Sequence, residues 1–401
     1  MIAKLTAVVS ALALSWMLAL TSGCSSSETE ASCVPVDDGD PCTVDICSSA
    51  GTEHRPAMGH SSWRQCRTDI TFIAMGDPQY GGGADDKNTF QIAAINRFAG
   101  LPWRGDMPSA GLPVAEPLGV LIAGDLTQNG KDGRDEAILP GRNEIGQFIL
   151  DYGLTGEEGS LNYPVYEGYG NHDFDPDAPA TEYDWQVFYT DDPTPAADSV
   201  SERNPGRVGL TEVAPATDGH YSWDWGNVHF INANLFPGNE PSEEDDIALT
   251  RDPRDSLAFI ERDLELHVGD SGKPVVFMFH YGFDEFGQQP RWWTDAHKEA
   301  FKEAIAPYNV VAMLHGHTHA TYAYTWEGYD VFNVGSPYYT QYNEDGRGHF
   351  TLFRITDTTF EVSDIAWTPE AQGTDPSFGN WFQHKELTPQ CMNENLPVCR
   401  D

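Results

Sequence analysis

The chain has 401 residues, with 62 Asp and Glu against 23 Lys and Arg, a net charge of −39 and a pI near 4.4. A content of 40% hydrophobic and 12% aromatic residues is that of a folded globular protein and excludes disorder as the main state. The charge excludes nucleic acid as a partner, because phosphate backbones are gripped by clustered Lys and Arg, and it makes an anionic membrane surface an equally poor one.

Residues 1–23 read as a targeting segment. Lys4 supplies a short positive region, residues 5–20 form an apolar run, and Thr21, Ser22 and Gly23 lead into Cys24. The run is too short for a membrane span, which needs about 20 apolar residues. The pattern resembles a bacterial lipoprotein signal, which implies lipidation of Cys24, although Thr21 stands where Leu is usual; the other reading is an ordinary cleaved signal peptide. Both predict export, and the first places the protein on the bacterial cell envelope, touching the membrane only through its anchor. Besides Cys24, the cysteines are Cys33, Cys42, Cys47, Cys66, Cys391 and Cys399. Their number is even and their spacings are unlike zinc sites, so disulfides are expected. Residues 24–67 are accordingly a polar tether and a small Cys-rich segment, and 368–401 a C-terminal tail with a disulfide.

From residue 68 to 367 the pattern is that of one domain. Apolar runs at 70–75, 120–123 and 163–167 read as strands, alternating with helical spacings at 88–100 and 144–152. Residues 174–218 are rich in Asp, Pro and Thr and read as a surface insertion. Strands at 220–225 and 228–234 follow, then a helix at 254–267, a strand at 275–279, a helix at 295–305 and a strand at 310–314. Four segments at 321–326, 329–334, 349–355 and 360–367 alternate like antiparallel strands. The alternation predicts βαβ units and a largely parallel sheet.

Metal-type ligands fall where these strands end: Asp77 with Gln79, Asp125, Asn171 with His172, His280, and His317 with His319. Groups at the carboxyl ends of strands in an open α/β sheet converge on one crevice. Leaving His172 aside, four carboxylate or amide groups and three imidazoles are too many for one ion and suit divalent transition metals or zinc. Two ions sharing Asp125 would form the arrangement that activates a water and clamps a phosphoryl group.

The ordered set 76–79 (Gly-Asp-Pro-Gln), Gly124–Asp125, 170–173 (Gly-Asn-His-Asp), His280 and 316–319 (Gly-His-Thr-His) resembles the calcineurin-like metallophosphoesterase family over residues 68–367. The resemblance implies an α/β (α+β) sandwich of two mixed sheets flanked by helices, with two divalent ions (Mn, Fe, Mg or Zn) at the sheet edge. It implies that Asp77 and His319 hold one ion, that Asn171, His280 and His317 hold the other, and that Asp125 bridges. His172 would contact the phosphate and protonate the leaving oxygen, with Asp173 as a possible orienting neighbour. Gln79 departs from the usual Asp-x-His: its amide oxygen either ligates directly, favouring Mn²⁺, Fe²⁺ or Mg²⁺, or holds a water.

The implied activity is metal-dependent hydrolysis of a phosphate ester, with monoesters slightly favoured over diesters and lipid or nucleotide head groups equally allowed. The competing reading is a catalytically silent binding lipoprotein on the same scaffold. Tyr80, Tyr281 and Phe283 are candidates for a substrate wall, and Trp292 and Trp293 for an exposed platform or helix packing. His229 is expected to be a satisfied core histidine and His315 to close its strand with a local hydrogen bond.

Overall fold

The computed structural model describes residues 43–48, 51–56, 68–81, 85–128, 144–173, 195–214, 219–239, 253–284, 293–337, 346–368 and 375–387. The signal segment, Cys24, most of the Cys-rich segment, Trp292 and the last fourteen residues lie outside them. The chain divides into two units, Met1–Cys66 and Arg67–Asp401. In the first, β1 (Thr43–Ser48) and β2 (Gly51–Pro56) form an antiparallel hairpin.

The second unit carries two mixed sheets. The six-stranded sheet has the order β15 (Ser377–Glu386), β14 (Thr359–Trp367), β13 (Gly348–Thr356), β3 (Asp69–Met75), β4 (Val120–Ile122), β5 (Val165–Glu167). Its last three strands are parallel and the others antiparallel. The seven-stranded sheet has the order β11 (Thr321–Trp326), β12 (Tyr329–Val334), β10 (Val310–His315), β9 (Val275–Met278), β8 (Val228–Asn232), β7 (Tyr221–Trp225), β6 (Leu210–Val213). Here β8, β9, β10 and β12 are parallel. β4 and β9 read as unbroken apolar runs because both of their faces are covered, and β8, equally buried, carries His229 and Asn232 among its apolar residues.

The sheets meet through aromatic side chains. Phe72 of β3 packs edge-on to Phe230 of β8 at 5.2 Å, Tyr166 of β5 stacks on Trp223 of β7 at 4.5 Å, and Phe332 of β12 meets Phe353 of β13 at 5.5 Å. Such pairs add about 0.5–1.5 kcal/mol each beyond the area they bury. On the outer face of the six-stranded sheet, Phe148 and Tyr152 of α2 (Glu144–Tyr152) pack against Tyr80, and Gln91 of α1 (Asp85–Ile95) bonds to the His349 carbonyl of β13. On the outer face of the other sheet, Phe301 of α5 (Asp295–Ile305) meets Phe277 of β9. Asp263, the last residue of α4 (Ser256–Asp263), bonds to Ser222 and His229.

Three elements differ from the sequence reading. α3 (Pro195–Arg203) and β6 lie inside the stretch read as an insertion, and β15 extends the sheet beyond residue 367 into the expected tail. The last turn of the predicted helix at 254–267 is π-helical, Leu264–Val268.

Candidate metal centre

The parallel strands β3, β4, β5, β9 and β10 all end at one place, and the chain must turn sharply there with little room. Asp77, Gln79, Asp125, His317 and His319 all adopt left-handed φ, between 40° and 74°. Such conformations cost non-glycine residues about 1–3 kcal/mol each and persist only where surrounding contacts hold them. The contacts are present. The Asp77 amide donates to the Gly124 carbonyl at 3.0 Å, the Gln79 amide to Asp125 O at 2.9 Å, and the Gly76 amide to Gly335 O at 2.8 Å. The glycines that precede the ligands are required by close approach. A Cβ at Gly316 would lie 2.7 Å from Asp77 Oδ2, and one at Gly170 would lie 2.3 Å from Asp125 Oδ1.

Two groups of potential ligand atoms result, one from Asp125, His280 and His317 and the other from Asp77, Asp125 and His319. Within each group the atoms lie within 4.8 Å of one another, and Asp125 belongs to both. Asn171 joins the first group through Oδ1, 3.0 Å from His280 Nε2. Gln79 places its amide 3.5 Å from Asp125 Oδ2, on the shared carboxylate. His280 donates Nδ1–H to the Ala123 carbonyl at 2.7 Å and turns Nε2 toward Asp125 Oδ2 at 3.2 Å. This is the disposition of a metal-ligating imidazole, whose second nitrogen is fixed by a backbone acceptor.

The electrostatics suit cations. Asp77 is fully buried, and burial pushes its carboxyl well above the usual range; His280 opposes the shift and the Asp125 carboxylate adds to it. Asp125 is also buried, yet His280 and His172 hold its carboxyl below the ordinary value. Burial disfavours charge on His280, but Asp125 outweighs it and raises the imidazole to about 9. Burial and the neighbouring His280 keep His317 well below its ordinary value. Burial pushes His319 down to about 4, with His172 and His280 helping and Asp125 opposing. Two neutral imidazoles and two buried carboxylates are a donor set that fits divalent ions.

His172 and Asp173 follow Asn171 on a 3₁₀ turn and face different partners. The His172 amide donates to Asp125 Oδ1 at 2.8 Å, and its ring donates Nδ1–H to the Gln128 carbonyl at 2.8 Å. Asp173 does not orient that ring, contrary to expectation. Its buried carboxylate accepts the amides of Gly170, Thr127 and Leu126 at 2.8, 2.9 and 3.1 Å and the Thr127 hydroxyl at 2.8 Å. Burial and the Asp125 charge raise it to about 7 against those bonds. Asp173 therefore ties the loop after β4 to the loop after β5. Gln128 orients the imidazole through its main-chain carbonyl, and its side-chain Nε2 also lies 3.3 Å from the same ring nitrogen.

The expected aromatic wall is not one. Tyr80 is 1% exposed, donates its hydroxyl to Asp151 at 2.8 Å and packs in the core on Phe148 and Tyr152. Tyr281 is buried and packs its ring 4.7 Å from that of His317, behind the ligands. Phe283 and Trp293 are buried on each other at 4.5 Å. His229 sits between Asp224 and Asp263, 2.6 Å from each. The Gly335–Ser336 turn after β12, which braces Gly76 and Asp77, went unread in the sequence.

A sequence profile described as calcineurin-like phosphoesterase matches residues 70–321. No curated protein matches the chain in sequence. Among solved structures the chain is similar to purple acid phosphatase PPD1 from yellow lupin seeds, at 15% identity and a TM-score of 0.45, covering 77% of this chain and 53% of that one. It thus spans about half the length of the lupin protein. It is similar also to a dimetal phosphatase from Danio rerio, at 12% identity and a TM-score of 0.44 over 77% of this chain and 98% of that one. A third is GAP50, the anchor in the inner membrane complex of Plasmodium, at 12% identity and a TM-score of 0.44 over 75% and 85% of the two chains. The chain belongs to the calcineurin-like phosphoesterase family.

Proposed function

We propose that the protein is an exported phosphoesterase that holds two divalent ions and uses His172 to protonate the leaving oxygen. The observation that carries this reading is the position of Asp125, common to both ligand groups and bonded through Oδ1 to the His172 amide. Asp77 and His319, with Gln79 beside them, would hold one ion, and Asn171, His280 and His317 the other. Such a pair supplies a nucleophilic water of lowered pKa and neutralises charge on the phosphoryl oxygens.

The remaining work falls to the chain. Because Nδ1–H of His172 is committed to the Gln128 carbonyl, the proton passed to the leaving oxygen comes from Nε2. Asp173 holds Asp125 and His172 in one frame by bonding the backbone on both sides of the site. Gln79 contributes no charge to the group of Asp77 and His319, which favours Mn²⁺, Fe²⁺ or Mg²⁺ there. A net charge of −39 repels anionic substrates, so the two cations would have to offset that field at the site; the lean toward monoesters rests instead on a role in scavenging phosphate outside the cytoplasm.

The test is hydrolysis of p-nitrophenyl phosphate and bis-p-nitrophenyl phosphate by metal-stripped protein with and without added Mn²⁺. Metal-dependent turnover that prefers the monoester supports the proposal, and a diester preference would overturn its substrate half. Two bound ions without turnover would instead favour the silent binding protein that Gln79 brings to mind.

A further inference from the structure

The loop that follows ligand His280 and the loop that carries His317 and His319 come from different strands, yet both contribute to one ligand group. β11, the edge strand that leaves the second loop, reaches back to both through its side chains. Tyr322 and Tyr324 are two apart on β11 and so project from the same face. The Phe283 amide donates to the Tyr324 hydroxyl oxygen at 2.8 Å. That hydroxyl donates to His315 Nε2 at 2.9 Å, and His315 passes its Nδ1–H to the Gly316 carbonyl at 2.9 Å. The Tyr322 hydroxyl donates to the Asp284 carboxylate at 2.6 Å. His315 is fully buried and lies directly against Gly282, where a Cβ would come within 2.3 Å of its ring.

Every group in this chain of bonds has one direction available to it. The Phe283 amide can only donate and the Gly316 carbonyl can only accept, so with His315 neutral the Tyr324 oxygen accepts the amide and its own proton goes to His315 Nε2. His315 then accepts at Nε2 and carries its proton on Nδ1. The result is an ordered relay from the loop of residues 281–284, through β11, to the carbonyl of the glycine that precedes His317. None of these side chains belongs to either ligand group.

We infer that Tyr324, with Tyr322 and His315, is a positioning residue that holds the His280 and His317 loops in register and so sets the affinity of the metal half they share. The inference rests on the reading of the site as a two-metal centre. Groups that orient ligands from behind typically change metal affinity by about 10- to 100-fold when removed.

The experiment titrates the metal-stripped full chain with MnCl₂ by calorimetry, for the wild type, Tyr324→Phe and the Tyr322→Phe/Tyr324→Phe double variant, with melting of each stripped protein as the control for folding. The expected result is about tenfold weaker binding of one of the two ions in Tyr324→Phe and a larger loss of that same ion in the double variant. The other ion keeps its affinity within about twofold. Unchanged affinities in a folded Tyr324→Phe protein would overturn the inference, as would equal losses of both ions. Should Tyr324→Phe fail to fold, Tyr322→Phe alone carries the test with the same criterion. A wild type that binds no Mn²⁺ would sink the two-metal reading itself, which is a different result from a wild type that binds two ions and a variant that binds them equally well.

Discussion

Replacing Gly170 with alanine adds one methyl group at the most crowded point of the site. Its φ is not left-handed, so the substitution carries no backbone penalty and tests crowding alone. The new Cβ would lie 2.3 Å from Asp125 Oδ1, 2.6 Å from the Asp125 amide nitrogen and 2.7 Å from His280 Cε1. Nonbonded heavy atoms settle about 3.5 Å apart, so the shared carboxylate or the loop after β5 must retreat by about 1 Å. Overpacking of this kind costs about 1–3 kcal/mol. At roughly 2–4 °C per kcal/mol for a chain of this size, Tm should fall by about 2–12 °C. A displacement of about 1 Å in a catalytic group is worth about 10²-fold in rate, so kcat/KM should fall by that order. Gly105, where a Cβ meets nothing within 4 Å, is the matched control, and Gly105→Ala should change stability by no more than about 0.5 kcal/mol. The assay is metal-dependent hydrolysis of p-nitrophenyl phosphate alongside thermal melts. Wild-type Tm and kcat/KM in Gly170→Ala, or equal losses in Gly105→Ala, would refute the reasoning.

Loss of a general acid matters most when the leaving group is poor. His172→Ala should lose about 10²- to 10⁴-fold in kcat on an alkyl phosphate and much less on p-nitrophenyl phosphate, whose phenolate leaves unprotonated; equal losses on both would remove His172 from that role. Tyr80→Phe should lower stability by about 1 kcal/mol through loss of the Asp151 bond while leaving kcat unchanged, as urea denaturation and steady-state kinetics would show. A fall in kcat without a fall in stability would return Tyr80 to the substrate wall. Burial disfavours a proton on His229, but its bonds to Asp224 and Asp263 outweigh burial and raise its pKa above 6.5. The stability it contributes is therefore complete below about pH 6.5 and is lost as pH rises through the raised value in the folded state. Melts of the wild type across this range should show a falling step that His229→Gln lacks, and a step of the same size in both would show that another group is responsible.

Much of the site was readable because its residues terminate parallel strands. A run such as 120–122 is apolar on both faces, so the first polar residues beyond it, Gly124 and Asp125, have to sit at the sheet edge. The same logic located Asp77, Asn171, His280 and His317. What it missed was direction. Asp173 follows His172 in sequence, but successive residues of a 3₁₀ turn point about 120° apart, so the carboxylate reaches Gly170, Leu126 and Thr127 and not the neighbouring ring. Tyr80 and Tyr281 lie beside ligands along the chain and were read as a wall, yet left-handed Gln79 and Gly81 turn the Tyr80 ring into the core, and Tyr281 is buried against His317. Gln128 acts through its carbonyl, which any residue supplies. α3 was missed because it is short and buries Ala196, Ala197 and Val200, which give a weak helical signal amid Pro and Asp. β15 has only exposed and half-buried positions and packs as an edge strand, so no apolar run marked it.

The central claim is that Asp125 joins two ligand groups into one centre. Counting the metal ions bound per chain by mass spectrometry, in the wild type and in Asp125→Ala reconstituted side by side with Mn²⁺, tests it most directly. Two ions per wild-type chain and fewer than one per Asp125→Ala chain are predicted, because a single carboxylate serves both groups. Retention of two ions by the variant, or none in the wild type, would contradict the account.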